Sequence, residues 1–136
     1  GVLPLVEEHG FENVLAVKIV ATDERRGISE VECHGQALKI PHCNRPAGDK
    51  LFVGIRADDI ILARNRPEGL SVRNALRGTI SEIADFEGKQ LIYVDVGRRL
   101  AVKTTLEAVE ELGLVVGDTV YCLVKTHSIR IGPEVQ

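Results

Sequence analysis

Short runs of alternating apolar and polar residues fill the chain from Asn13 onward, and this pattern predicts β-strands. The apolar positions are Val, Leu and Ile, because Trp and Met are absent and aromatic residues are scarce. This composition also favours strands. Turn signals separate the runs, among them His34-Gly35, Glu87-Gly88-Lys89 and Gly97-Arg98-Arg99. The predicted runs cover residues 14–21, 28–33, 36–40, 50–63, 76–84, 91–96, 99–103 and 119–131.

One short stretch follows a helical period instead. Thr104 and Glu107 have the spacing of a capping box, which marks a helix start. Val109 and Leu112 then recur on one face, and Gly113 ends the run. We predict a helix of about two turns from Thr104 to Leu112 that packs on the sheet, because so short a helix is unstable alone.

The two halves of the chain repeat each other in order. The offset is 61 or 62 positions in the first part and 69 after the predicted helix, which the second half inserts. Fixed order with one insertion indicates a duplication. The matched pairs are Asn13 with Asn74, Gly35 with Gly97, Leu38 with Leu100, Gly48-Asp49 with Gly117-Asp118, Ile55-Arg56 with Val124-Lys125, and Ile60 with Ile129.

These patterns predict an all-β chain made of two small antiparallel barrels. Residues 1–12 carry Pro4, paired glutamates and Gly10, and are interpreted as a linker leading into the domain. We expect the first, diverged half at residues 13–65 and the second half at residues 66–136. The chain starts at Gly1 without an initiator methionine, which suggests a piece of a longer protein.

Charge and motif content exclude several functions. A net charge of −3 argues against a nucleic-acid binder that works through a broad basic face. The sequence has no phosphate-binding loop, no nucleophile elbow, no HExxH motif and no CxxC pair, so we predict no catalysis by this chain. No apolar run is long enough to span a bilayer. Three cysteines cannot all pair within the chain, which favours free thiols in a reducing cytosol.

Cys33-His34 and His42-Cys43 form a mirror pair that offers zinc-type ligands. Adjacent residues on a strand point to opposite faces, so neighbouring Cys and His would not easily share one metal. We therefore expect buried cysteines and surface histidines here, and no metal site.

The segment from Arg64 to Gly78 is basic in an otherwise acidic chain. A turn that starts at Gly69 would expose backbone N–H groups, and Ser71 and Arg73 would point the same way on an extended chain. Such donors suit a tetrahedral dianion. Two cation–hydroxyl pairs elsewhere offer similar chemistry, Lys125-Thr126 and Lys103-Thr104.

The same residues resemble the molybdate-binding Mop module, a TOBE-type domain. That module follows the pattern Ser-x-Arg-Asn-x-Leu-x-Gly, a Thr before a short helix, Leu-x-x-Gly and a closing Lys-Ser/Thr. The first half resembles the related strands found in the C-terminal regions of ABC importer ATPases. The matching residues are 67–78, Lys103-Thr104, Leu112-Gly113-Leu114, Gly117 and 123–126.

The resemblance implies an OB-like barrel pair, a homodimer and a bound molybdate or tungstate, without any cofactor. It implies a cytoplasmic domain at the inner face of the cell membrane, attached to an upstream ATP-binding domain and membrane permease subunits of a molybdate importer. The first half lacks the arginine of the pattern, which makes two equivalent sites doubtful. The implied oxyanion ligands are Ser71, Val72, Arg73, Asn74, Lys103, Thr104, Lys125 and Thr126.

Three other functions stay open at this point. A stand-alone molybdate storage protein would need ligand residues in both halves. A purely structural dimerisation module would not need Arg73 and Lys125 together. A small nucleic-acid-binding barrel is disfavoured by the acidity and by the few aromatic residues.

Overall fold

The computed structural model describes residues 5–7 and 10–135, which form two antiparallel sheets and one α-helix. The first sheet contains β1 (Leu5–Glu7), β2 (Gly10–Asp23), β3 (Ile28–Cys33), β4 (Gln36–Pro41), β5 (Lys50–Arg56) and β11 (Ile129–Glu134). The second contains β6 (Ile61–Ala63), β7 (Asn74–Phe86), β8 (Lys89–Asp95), β9 (Arg99–Thr104) and β10 (Thr119–Val124). The strand order of the first sheet is β11-β5-β2-β3-β4, with β1 paired to β2, and that of the second is β6-β10-β7-β8-β9.

The two halves exchange their last strands. β6, which ends the first half, pairs with β10 of the second, and β11 returns to pair with β5 of the first. The outer strands of each sheet also approach each other, β4 towards β11 and β6 towards β9, so each sheet curls towards a closed barrel. Each half therefore completes the sheet of the other.

Two 3-10 turns make the exchange possible. The apolar runs predicted at residues 50–63 and 119–131 are not continuous strands, because Ala57–Asp59 and Thr126–Ser128 break them. All three residues of the first turn, Ala57, Asp58 and Asp59, are of types depleted in strands. The chain changes direction there and crosses from one sheet to the other.

The α-helix, α1, spans Leu106–Leu112 and begins later than predicted. Thr104 pairs with Gln90 in the β8–β9 ladder and is thus used by the sheet, so the predicted cap at Thr104 is wrong. Thr105 is the N-cap, and its hydroxyl accepts a hydrogen bond from the Ala108 N–H at 3.1 Å. Gly113 ends the helix in the left-handed conformation, φ 61°, as predicted.

The backbone repeats the predicted duplication in detail. β2 has a bulge between Ile19 and Ala21, and β7 has one between Ile80 and Glu82. Gly48 in the first half and Gly117 in the second both have φ 98°. The Gly48 N–H donates to the Ile19 carbonyl and the Gly117 N–H donates to the Ile80 carbonyl, at 2.8 Å each. Equivalent residues thus make equivalent bonds.

Aliphatic side chains from both sheets form one buried cluster. Of the predicted linker, residues 5–7 form β1 and residues 10–12 begin β2, while residues 1–4 and 8–9 lie outside the described residues. The largest fully buried side chains are Leu15, Ile19, Leu38, Ile40, Leu51, Ile55, Leu76, Ile80, Ile92, Leu100, Ile129 and Val31.

Candidate anion-binding site

Two cations meet at one end of the second sheet. Asn74 and Val124 form the last register pair between β7 and β10. Because the strands are antiparallel, Arg73 precedes this pair and Lys125 follows it, at the same edge of the sheet. Both side chains are exposed to solvent. The pattern predicted both residues as ligands, and the fold brings them to one place.

Polar groups accompany these cations. Thr126 opens the 3-10 turn directly after Lys125 and is partly buried. Ser71 is exposed, two residues before Arg73 in the irregular segment that links β6 to β7. Val72 and Arg73 line a cavity of about 150 Å³, and Gly69, with φ 71°, forms part of its wall. Two cations, two hydroxyls and a loop of backbone N–H groups are the donors that a tetrahedral dianion requires.

Asn74 has a structural task in this arrangement. Its side chain is 2% exposed and bonds to the backbone of Lys39 on β4. The amide Nδ2 donates to the Lys39 carbonyl at 2.8 Å, and Oδ1 accepts from the Lys39 N–H at 2.7 Å. Asn74 therefore fixes the start of β7, and with it the position of Arg73, against the first half.

Lys103 and Thr104 lie beside the other 3-10 turn. β9, which carries them, packs against Ala57–Asp59. The Lys103 Nζ is 3.8 Å from the Asp58 carboxylate, and both predicted ligands line a cavity of about 360 Å³ together with Asp58. The predicted ligand set is thus divided between two places, six residues at the first and two at the second.

Arg64 is part of the predicted basic segment, but its guanidinium forms hydrogen bonds at the C-terminal end of α1. Its guanidinium donates to the Leu112 carbonyl at 2.9 Å and to the Asp118 carboxylate at 3.2 Å. A hydrogen bond from the Val115 N–H lowers the pKa of Asp118 below its ordinary value; desolvation opposes the shift and Arg64 adds to it. A cation at a helix C-terminus stabilises the helix dipole, so Arg64 supports α1.

The cysteines are part of the core. Burial raises the pKa of Cys33 to about 11 and that of Cys122 to about 12, so both thiols stay neutral at physiological pH. Cys33 is buried while His34 is exposed in the hairpin turn with φ 49°. Among residues 5–7 and 10–135, no group of three His, Cys, Asp or Glu side chains is placed to hold a metal.

The second half matches the TOBE domain family over residues 70–131. The matched segment contains both predicted cation–hydroxyl pairs, Lys103-Thr104 and Lys125-Thr126. The resemblance seen in the motifs is confirmed. TOBE domains are not catalytic.

Sequence relatives extend the likeness beyond the TOBE segment. The chain is 33% identical to the molybdenum import ATP-binding protein ModC of Brucella abortus over 94% of its length. It is 34% identical to the ModC of Rhodospirillum rubrum over 85% of its length. It spans 37% and 33% of those two proteins, respectively.

A solved structure shares the fold. The cytoplasmic molybdate-binding protein ModG, in a form with molybdate bound, matches with a TM-score of 0.76 and 24% identity. The match covers 88% of this chain and 94% of ModG. The predicted fold class, an all-β pair of OB-like barrels with one short helix, is confirmed. Within the described part of the chain, no helix is long and apolar enough to cross a membrane.

Two residues in the 3-10 turns were not singled out from the sequence, Asp58 in the first half and His127 in the second. The duplication itself contained the signal, because matching Ile60 with Ile129 also matches Asp58 with His127.

Proposed function

We propose that this chain is the regulatory oxyanion-binding domain of a molybdate importer's ATP-binding subunit. The observation that carries the proposal is the β7–β10 register, which sets Arg73 and Lys125 at one edge of the sheet. The ligand would be molybdate or tungstate. The relatives named ModC and the molybdate-bound neighbour ModG support this choice of ligand.

Each residue of the site has a distinct role in this proposal. Arg73 and Lys125 neutralise the dianion, while Ser71, Thr126 and the backbone N–H of Val72 orient its oxygens. Asn74 is a positioning residue, since both polar atoms of its side chain are bonded to Lys39. Sulfate is smaller than molybdate and would leave donors unpaired, at a cost of about 1–3 kcal/mol for each buried donor.

Isothermal titration with molybdate, tungstate and sulfate tests the site. Arg73→Ala should weaken molybdate binding at least about tenfold, because a charge-assisted bond contributes about 1.5–3 kcal/mol. Arg25→Ala is the matched control: Arg25 is exposed in the turn between β2 and β3. Arg64 is unsuitable as a control, since it bonds to the end of α1. Equal affinity of the two variants, or no binding by the unmutated chain at millimolar molybdate, would overturn the proposal.

The proposal extends to assembly and location. We expect a homodimer, because Ile61 on the outer strand β6 and the consecutive residues Val115 and Val116 after α1 are exposed apolar side chains. Light scattering should give twice the mass of the chain at micromolar concentration, and a monomer with and without molybdate would contradict this. The domain would act in the cytoplasm, at the inner membrane face, beside an ATP-binding domain and permease subunits.

Regulation can be tested in the full-length importer. ATP hydrolysis by the purified transporter is measured with and without molybdate, and again with Arg73→Ala. A molybdate effect that disappears in the variant supports a regulatory domain. An unchanged molybdate effect in the variant would contradict it.

A further inference from the structure

The two 3-10 turns have the same backbone conformation but differ in charged residues, because the first contains Asp58 and Asp59 and the second contains neither Asp nor Glu. Arg56, before the first turn, has φ −71° and ψ 139°; Lys125, before the second, has φ −70° and ψ 142°. The residues that follow these turns also agree closely in φ and ψ. Position by position, Asp58 therefore corresponds to His127, and a carboxylate stands in the first half where the second has an imidazole.

The Asp58 carboxylate lies between two cations from different parts of the chain. One oxygen is 3.7 Å from the Arg56 guanidinium, and the other is 3.8 Å from the Lys103 Nζ. Lys103 is only 15% exposed, and it reaches Asp58 from β9 of the second half. Each carboxylate oxygen thus faces a different cation, as the oxygens of a bound anion would.

A second carboxylate replaces the arginine of the motif. Glu12 precedes Asn13 as Arg73 precedes Asn74, and it pairs across the ladder with Arg56. Glu12 also forms an ion pair with Arg130 of the exchanged strand β11. The first-half turn and its surroundings therefore carry three cations, Arg56, Lys103 and Arg130, and three carboxylates, Glu12, Asp58 and Asp59. In the second half, Arg73 and His127 stand at the positions of Glu12 and Asp58.

We propose that Asp58 is a tethered anion that closes a latent oxyanion site formed by Arg56 and Lys103. This inference rests on the proposed function for the counterpart site. A carboxylate held on the same chain competes at an effective concentration of about millimolar or more, so a dilute free dianion does not displace it. The unmutated chain then binds one oxyanion, and Lys103 is a cation of the closed site.

Counting molybdate sites by isothermal titration tests the proposal. The unmutated chain should bind one molybdate per chain, and Asp58→Asn should bind two. Asp59→Asn is the matched control, because Asp59 is the adjacent exposed carboxylate of the same turn, and it should keep one site. Lys103→Gln combined with Asp58→Asn should lose the added site.

A second variant guards against misfolding. Asp58→His copies the residue that the equivalent turn already carries, and circular dichroism verifies that each variant is folded. A folded Asp58→Asn or Asp58→His chain with the same number of sites as the unmutated protein would overturn the proposal.

Adding Arg73→Ala separates this inference from the proposed function. If Arg73→Ala with Asp58→Asn keeps one site while Arg73→Ala alone has none, both are supported. If the unmutated chain binds nothing and Asp58→Asn gains a site, the proposed function fails and the tethered anion stands.

Discussion

Two buried asparagines, Asn13 and Asn74, join the halves through matching hydrogen bonds. Asn13 bonds to both backbone groups of Ala101 on β9 at 2.8 Å, and Asn74 does the same to Lys39 on β4. Ala101 and Lys39 are themselves equivalent positions of the repeat. A side-chain amide can copy a strand's donor and acceptor, which is why Asn suits both places.

At the residue scale we predict that Asn74→Ala destabilises the chain by about 2–4 kcal/mol. The change leaves the partly buried N–H and carbonyl of Lys39 without their side-chain partners, and the full penalty of about 1–3 kcal/mol per buried group is reduced by this partial exposure. Urea unfolding followed by circular dichroism measures the free energy of unfolding. Asn74→Asp should also destabilise, since a carboxylate cannot donate to the carbonyl. A loss below about 0.5 kcal/mol in both variants would contradict the role assigned to Asn74.

The sequence alone revealed the asparagines but not what they do. Asn74 stood inside a ligand motif, and its position next to Arg73 suggested a ligand. Its bond to Lys39 links residues 35 positions apart, a contact that no local pattern encodes. Arg73 and Lys125 were singled out because their residue types and motif spacing match oxyanion chemistry, and their role as ligands stays a prediction.

At the element scale, the strands and hairpin turns were predictable from the sequence. The start of the helix and the places where the chain crosses between the sheets were not. The predicted hairpin turns at His34-Gly35 and Glu87-Gly88 are present, and both residues of each turn have positive φ. The sequence did not show that the chain crosses between the two sheets at residues 57–59, because the apolar residues before and after this turn resemble one long strand. The helix start was displaced by one residue, because two adjacent threonines compete for the cap.

The helix cap gives a prediction at this scale. Thr105→Ala should reduce the free energy of unfolding by about 1 kcal/mol, since the Ala108 N–H loses its acceptor. Thr105→Ser keeps the hydroxyl and should retain most of that stability. The midpoint and slope of urea unfolding measure both variants. Equal losses in the Ala and Ser variants would show that the hydroxyl does not act as a cap.

Asp118 adds a pH dependence to the same region. Its pKa is lowered in the folded chain, first by the Val115 N–H and then by Arg64, against the opposing effect of desolvation. A lowered pKa contributes stability above the unfolded value of about 3.9, and this contribution is lost as pH falls through the folded pKa. The unfolding free energy of the unmutated chain minus that of Asp118→Asn should therefore shrink on acidification below about pH 4. A difference that stays constant between pH 6 and pH 2 would contradict this.

At the scale of the whole molecule, strand exchange makes the halves interdependent. Neither half, cut at the boundaries predicted at residues 13–65 and 66–136, would keep all strands of its own sheet, because β6 and β11 cross over. The repeat in the sequence predicted two barrels correctly. The strand exchange was not predictable, because β6 and β11 are equivalent by duplication. Pairing each strand within its own half or with the other half satisfies the same apolar pattern.

The exchange predicts a single cooperative unfolding transition for the whole chain. Both tyrosines, Tyr93 and Tyr121, lie on strands of the second sheet, so tyrosine fluorescence reports on that sheet, while far-UV circular dichroism reports on both. We expect the two urea transitions to coincide. Leu38→Ala, a fully buried change in the first sheet, should cost about 2–5 kcal/mol and shift the tyrosine transition as far as the dichroism transition. If the tyrosine transition of Leu38→Ala stayed where it is in the unmutated chain, the second sheet would be stable without the first, and the two halves would be independent units despite their shared strands.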